Sequence, residues 1–163
     1  MPIPGIAQPE ILSVDDALRL RKFDGEFDFA FAWYQDPEMV WMVDGVRTPY
    51  TMEKLERMYR YLDQKGELYW IEALENGQFI PIGDVTFWQE DMPIVIGDPA
   101  YRGKGVGRRI VRALAQRGKA LGYDKVYVDS IYPYNKASQH CFEAAGFKPC
   151  KQTETGISYV LEL

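Results

Sequence analysis

The run Arg102-Gly103-Lys104-Gly105-Val106-Gly107 lies between a short apolar segment, Pro93 to Ile96, and a basic amphipathic stretch that reads as a helix. Glycines without a Cβ allow the tight strand-to-helix turn this order requires and let backbone N–H groups close on a ligand. The helix that follows aims its positive dipole end at the same place. A chain built this way must bring a strand end and a helix start together around exposed amides. The segment therefore reads as an anion cradle, and a diphosphate is the first expected ligand.

Charge is distributed in keeping with that reading. From Arg102 to Lys125 eight residues are basic and only Asp124 is acidic, a local +7 in a chain whose formal net charge is −5. A confined positive field in an acidic protein suits a small polyanion better than a nucleic-acid duplex, which needs a broad basic face. No nucleic-acid partner is expected, and the acidic remainder suits a cationic second substrate. The turn matches neither G-x-x-x-x-G-K-[ST] nor G-x-G-x-x-G, so the two standard nucleotide loops are excluded. A bare connecting turn with solvated Lys and Arg stays open on spacing alone.

With 163 residues, 47% of them apolar and 14% aromatic, the sequence is expected to form one domain spanning 1–163 around a sizeable core. No apolar run reaches the roughly 18 residues that would span a bilayer, and the start lacks the cationic and apolar regions of a signal peptide. A cytoplasmic protein without a membrane partner is expected. Cys141, Cys150 and the single His140 fit neither a disulfide framework nor a zinc site, so no metal is expected.

Alternation in Ala17 to Lys22 predicts a first strand. Helices are predicted over the aromatic run Glu26 to Gln35, with a short continuation at Glu38 to Val43, and over Thr51 to Leu62, where Thr51 serves as N-cap. Strands at Leu68 to Leu74 and Ile80 to Trp88 flank Asn76-Gly77, a hairpin signal. After the turn at Gln89 to Met92 comes the strand Pro93 to Ile96, then a helix over Arg108 to Leu121 stopped by Gly122. A strand at Lys125 to Ile131, a helix at Lys136 to Ala145 and a strand at Ser158 to Glu162 complete the order β-α-α-β-β-β-α-β-α-β. That order predicts an α/β fold of α+β type: a mixed, mostly antiparallel central sheet flanked by helices.

Past the glycine turn the sequence continues N-K-A-S-Q-H-C-F-E-A-A-G-F from Asn135 to Phe147. The chain resembles the GNAT superfamily of acetyl-CoA-dependent N-acetyltransferases, whose acyl-CoA motif [R/Q]-x-x-G-x-[G/A] is filled by Arg102, Gly105 and Gly107. Its later signature falls on Asn135, Ser138, Phe142, Gly146 and Phe147. LRLR at Leu18 to Arg21 and DPE at Asp36 to Glu38 resemble the branch that includes ribosomal-protein and aminoglycoside acetyltransferases. The resemblance implies acetyl-CoA as co-substrate. It places pantetheine against the backbone of Ile94, Val95 and Ile96, and the diphosphate on the amides of Gly103, Lys104, Gly105, Val106, Gly107 and Arg108. Arg102, Asn135 and Ser138 complete the expected cofactor set, with Arg109 a weaker contributor of charge. A homodimer is common among such proteins.

The resemblance also implies direct transfer to an amine, a small-molecule or peptide acceptor, which calls for a base, an oxyanion donor and an acid near the sulfur. The usual acid is a tyrosine seven residues after the motif asparagine, where this chain has Phe142. Tyr132 or Tyr134 stands in for it, or the thiolate leaves unassisted; Tyr134 enters the candidate catalytic set. The base is sought in Glu90 and Asp91 at the turn before the cofactor strand. Trp41, Tyr50, Tyr69 and Trp88 are candidate walls for a cationic amine. The missing tyrosine also motivates a second reading, a catalytically silent acyl-CoA-binding module.

Overall fold

A computed structural model describes all residues, 1–163, and arranges them as two antiparallel sheets with helices packed on their faces. Strands β1 (Ile11–Ser13), β2 (Leu18–Lys22), β3 (Glu67–Glu75), β4 (Gln78–Phe87) and β5 (Ile94–Ile96) form the first, in that spatial order. Strands β6 (Lys125–Ile131), β7 (Lys148–Gln152) and β8 (Ile157–Glu162) form the second, ordered β6-β8-β7. The helices are α1 (Pro37–Asp44), α2 (Met52–Lys65), α3 (Val106–Ala120) and α4 (Lys136–Ala144).

Local signals account for most boundaries. Asp36 caps α1 by accepting from Glu38 N–H with Pro37 in the first turn, and Thr51 caps α2 by accepting from Lys54 N–H. Asn76 and Gly77, both at positive φ, close the β3–β4 hairpin, and the register runs from Glu75↔Gln78 to Glu67↔Phe87 with one irregularity at Ile71/Glu72. The predicted helix over Glu26 to Gln35 is a 3-10 helix over Asp28–Gln35. Within it only Ala30 and Tyr34 are buried, while Phe31 and Trp33 are half-buried and Phe29 is exposed, so no α-helical stripe forms. Two strands, β1 and β7, are absent from the sequence reading. β1 has three residues, and β7 reads KPCKQ with every residue exposed, so neither carries an alternating apolar pattern.

Two clusters share the first sheet. On one face α3 buries Ile110, Val111 and Leu114 against Tyr69, Ile71, Val85 and Phe87, each aliphatic side chain contributing about 1.5–3 kcal/mol. The 3-10 helix and α2 cover the other face with Tyr34, Leu55 and Tyr59 against Leu68, Trp70 and Val95. No helix is long and apolar enough to cross a membrane.

Glu67, fully buried at the start of β3, is gripped by Arg117 of α3 through Nε (2.6 Å) and Nη2 (2.6 Å) and accepts from Tyr69 Oη (2.8 Å). Removing the guanidinium strands a carboxylate in the interior. Arg117→Ala is expected to cost about 3–5 kcal/mol in urea unfolding, whereas replacing both partners with apolar residues costs far less. Equal losses in the single and double variants would contradict this pairing.

Candidate functional site

The second edge of β5 has no strand partner, because the hydrogen bonds joining the two sheets all lie at the turn before it. Tyr127 N–H donates to Gln89 O (2.8 Å), Gln89 Nε2 to Lys125 O (3.2 Å) and Asp129 N–H to Asp91 Oδ1 (3.0 Å). Beyond that point β5 and β6 diverge. The gap opens into a cavity of about 770 Å³ walled by β5, the glycine turn, the start of α3, one side of α4 and residues of α1.

At the floor of this cavity the turn presents a row of free donors. The backbone N–H groups of Gly103 through Arg108 have no partner within the chain, and the first bond of α3 runs from Arg109 N–H to Gly105 O (3.3 Å). Gly105 is the N-cap at φ +77° and brings no side chain to satisfy them. A β-carbon there would be strained by the backbone angle and would approach the Arg108 guanidinium at 3.5 Å. Arg108 thus overhangs the turn, and Lys104 is exposed on it. Oriented amides, a helix dipole and two cations make one strongly anion-attracting surface. Arg102 acts differently: its guanidinium folds back onto Ile96 O (2.8 Å) and Gly97 O (3.0 Å), stapling the end of β5 to the turn.

The opposite wall is tied to α1. Asn135 caps α4 by accepting from Ser138 N–H (3.1 Å), and its Nδ2 donates to Met42 O (3.2 Å), so both ends of the amide are engaged. Tyr134 Oη donates to Trp41 O (3.0 Å) while its ring stacks on Trp41 and on Tyr132, with Arg47 over the Trp41 ring. These contacts satisfy the last carbonyls of α1 and bridge the cavity between α1 and α4. On the floor, α3 and α4 touch where a β-carbon on Gly107 would come within 2.9 Å of Cys141 Sγ.

The residues named from the sequence as cofactor contacts line this one cavity, except the weaker candidate Arg109, whose guanidinium pairs with Asp15 outside it. The candidate catalytic residues do not join them. Glu90 and Asp91 lie with Trp88 and Tyr123 in a separate cleft at the closed end of the sheets. Asp91 Oδ1 is engaged by Met92 N–H and Asp129 N–H there, and burial raises its carboxyl. Tyr134 is outside the cavity lining, with burial and then the neighbouring Tyr132 raising its phenol. Phe142 is buried against Phe147 in the main core. Of the aromatic walls named from sequence, Tyr69 is in the core bonded to Glu67 and Trp88 sits at the closed end. Trp41 and Tyr50 remain on the α1 side.

Sequence reasoning missed the walls Met39, Met42 and Val43, which the periodicity of α1 presents to the cavity. It also missed Asp84. This carboxylate is buried on β4 and accepts from Tyr34 Oη (2.8 Å) and Tyr59 Oη (2.9 Å), both on Oδ2. The signal was a lone acid in the apolar run I-P-I-G-D-V-T-F, at a position that alternation turns inward.

A family model described as an acetyltransferase (GNAT) domain matches residues 17–148. Among curated proteins none matches by sequence. Solved structures share the fold. A domain from Methanocaldococcus jannaschii superposes with a TM-score of 0.78 at 24% identity, covering 91% of this chain and 100% of that one. An aminoglycoside acetyltransferase in complex with coenzyme A and kanamycin gives 0.69 at 20% identity, covering 89% and 94%. Spermidine N-acetyltransferase from Vibrio cholerae, in complex with CoA and spermine, gives 0.68 at 19%, covering 91% and 96%.

Burial pushes the Cys141 thiol up to about 11, against a weaker opposing pull from Arg108, while Cys150 is exposed. At pH 8 iodoacetamide should therefore modify Cys150 at least about a hundredfold faster than Cys141; comparable rates would contradict the placement of Cys141. Gly107→Ala should destabilise the protein, and adding Cys141→Ala should recover most of the loss by removing the sulfur. Failure of the double variant to recover would show that the close approach lies elsewhere.

Proposed function

The chain belongs to the GNAT acetyltransferase family, and from that premise we propose that it is an N-acetyltransferase. In this reading it moves an acetyl group from acetyl-CoA to a primary amine of a small cationic molecule or of a protein. The observation that carries the reading is the pairing, in one cavity, of an unpartnered strand edge at Ile94–Ile96 with the row of free amides from Gly103 to Arg108. An extended chain of amide groups ending in a diphosphate complements both parts: the pantetheine lies along the edge as an added strand would, and the phosphates meet the start of α3. Lys104 and Arg108 supply charge, while Arg102 holds the edge in place. Asn135 and Ser138 shape the wall.

Two of the structures that share the fold, an aminoglycoside acetyltransferase and a spermidine N-acetyltransferase, hold CoA together with kanamycin and with spermine, respectively. They support a cationic amine as the acceptor class here, with α1 and the segment leading to α2 as its approach. Glu90 and Asp91 lie at the closed end, and the bond from Asp129 N–H fits Asp91 to a role in joining the sheets better than to one in touching the amine. A second reading, a silent acyl-CoA-binding module, draws on Phe142, which occupies the core and offers no proton.

Incubation with acetyl-CoA and a panel of spermidine, kanamycin, a lysine peptide and a peptide with a free N-terminus separates the readings. Thiol release matched by one acetylated amine is the expected result. CoA binding without acetylation of any amine would favour the silent module, and no CoA binding would overturn both. Gly105→Glu places a side chain and a like charge on the cradle. Calorimetry should show CoA affinity falling by roughly 100-fold, about 2.7 kcal/mol, with the fold retained; unchanged affinity would contradict the cradle.

A further inference from the structure

Asp84 is the one carboxylate that this chain buries beside the cavity without a countercharge. It sits on β4 directly opposite Val95 of β5 and Trp70 of β3, on the sheet face covered by the 3-10 helix and α2. Tyr34 from the 3-10 helix and Tyr59 from α2 donate to its Oδ2, and Tyr50, ahead of α2, packs against Tyr34 at a tilt with ring centroids 4.9 Å apart. No Lys, Arg or His faces it. Its Oδ1 accepts no bond from the chain, and two further polar groups on the same sheet face, Trp70 Nε1 and Thr86 Oγ1, are buried without a partner. A lone carboxylate in an aromatic chamber is costly to keep. The Glu67–Arg117 pair shows how the same fold treats a buried acid that has only a structural role, by giving it a cation.

The chamber and the cavity share a partition one side chain thick. Met39 and Val95 both belong to the buried cluster around Tyr34 and Tyr59, and both also line the cavity. Met39 is the flexible half of that partition, an unbranched side chain that moves aside at little cost. An acceptor entering from the α1 side to reach β5 meets this partition first.

We propose that Asp84 receives, through the hydroxyl of Tyr34 or Tyr59, the proton that an acceptor ammonium must lose before it attacks the acyl group. The inference rests on the acetyltransferase reading above. An N–H bond of the ammonium breaks and its proton passes to the phenol oxygen as the phenol's own proton moves to Asp84 Oδ2. The freed lone pair forms the C–N bond at the thioester carbonyl, and the C–S bond breaks with its electron pair on sulfur. The proton released from nitrogen as the amide forms leaves with that sulfur as the thiol, and Asp84 returns its proton to solvent before the next turnover. Asp84 thus acts through the phenols as a positioning residue. Burial pushes its carboxyl up to about 6, against the opposing bonds from Tyr34 and Tyr59, which suits a group that takes and returns a proton near neutrality.

The test is the pH dependence of kcat with acetyl-CoA and whichever amine of the panel the wild-type protein acetylates, measured beside Asp84→Asn, Asp84→Glu, Tyr34→Phe and Tyr59→Phe. The wild-type rate should rise with pH through about 6, where the carboxylate becomes available, and level off above it. Asp84→Asn should lower kcat by on the order of 100-fold or more and abolish that rise, while CoA affinity by calorimetry stays within threefold, roughly the range of an unperturbed site. Asp84→Glu should restore part of the rate and the rise. If Asp84→Asn does not fold, at least one phenylalanine variant must show the loss in kcat with CoA binding intact. A retained rise with kcat near wild type in Asp84→Asn, or full rate in both phenylalanine variants, overturns the inference and leaves the acetyltransferase reading standing. Absence of any wild-type turnover overturns both.

Discussion

Gln89 and Asp91 join two sheets by hydrogen bonds at one end, and the site follows from the fact that no hydrogen bond joins them at the other. Three hydrogen bonds, to Tyr127, Lys125 and Asp129, fix the closed end. From there β5 keeps its pairing with β4 but loses any neighbour on its far side. An unpaired edge exposes backbone donors and acceptors that need partners. Here it opens into a cavity rather than onto bulk surface, and the glycine turn places six more unpaired amides at the cavity's floor. The site is in this sense made of backbone, and the side chains around it work mainly to keep the backbone in place.

Arg102, Asn135 and Tyr134 are examples. Each carries a group that sequence logic directs at a ligand, and each turns that group on the protein's own carbonyls: Ile96 and Gly97, Met42, and Trp41. Together they set the separation of the cavity walls. Walls held by such hydrogen bonds are pre-organised, which spares the ordering cost that binding otherwise carries.

Much of this was legible in the sequence, for reasons that can be named. The glycine turn, the Asn-Gly hairpin and the helix caps are local devices, each written in two to six consecutive residues, and each appears where the pattern put it. The cofactor-side residues lie on three short stretches, Ile94 to Ile96, Arg102 to Arg108 and Asn135 to Ser138, that converge in one cavity. What could not be read depends on pairing between distant segments. β1 and β7 are strands only because β2 and β8 lie beside them. The antiparallel sheet flanked by helices is as the element order predicts, but the gap that leaves β5 and β6 unpaired and divides the strands into β1–β5 and β6–β8 has no local signal to encode it. Glu90 and Asp91 were read from their place before the cofactor strand, yet which end of the strand faces the opening is a property of the whole sheet. Asp84 shows the reverse: the residue was visible as a lone acid in an apolar strand, but its meaning required Tyr34 and Tyr59, 50 and 25 residues away.

An acyl-CoA is expected to lie along the unpaired edge of β5, with its phosphates at the start of α3. A crystal structure of the protein with CoA bound tests it most directly. The expected result is the diphosphate within hydrogen-bond distance of the amides between Gly103 and Arg108, with the pantetheine amides paired to the backbone of Ile94–Ile96. CoA bound elsewhere, or seated in the cavity with those amides still unpartnered, would contradict it.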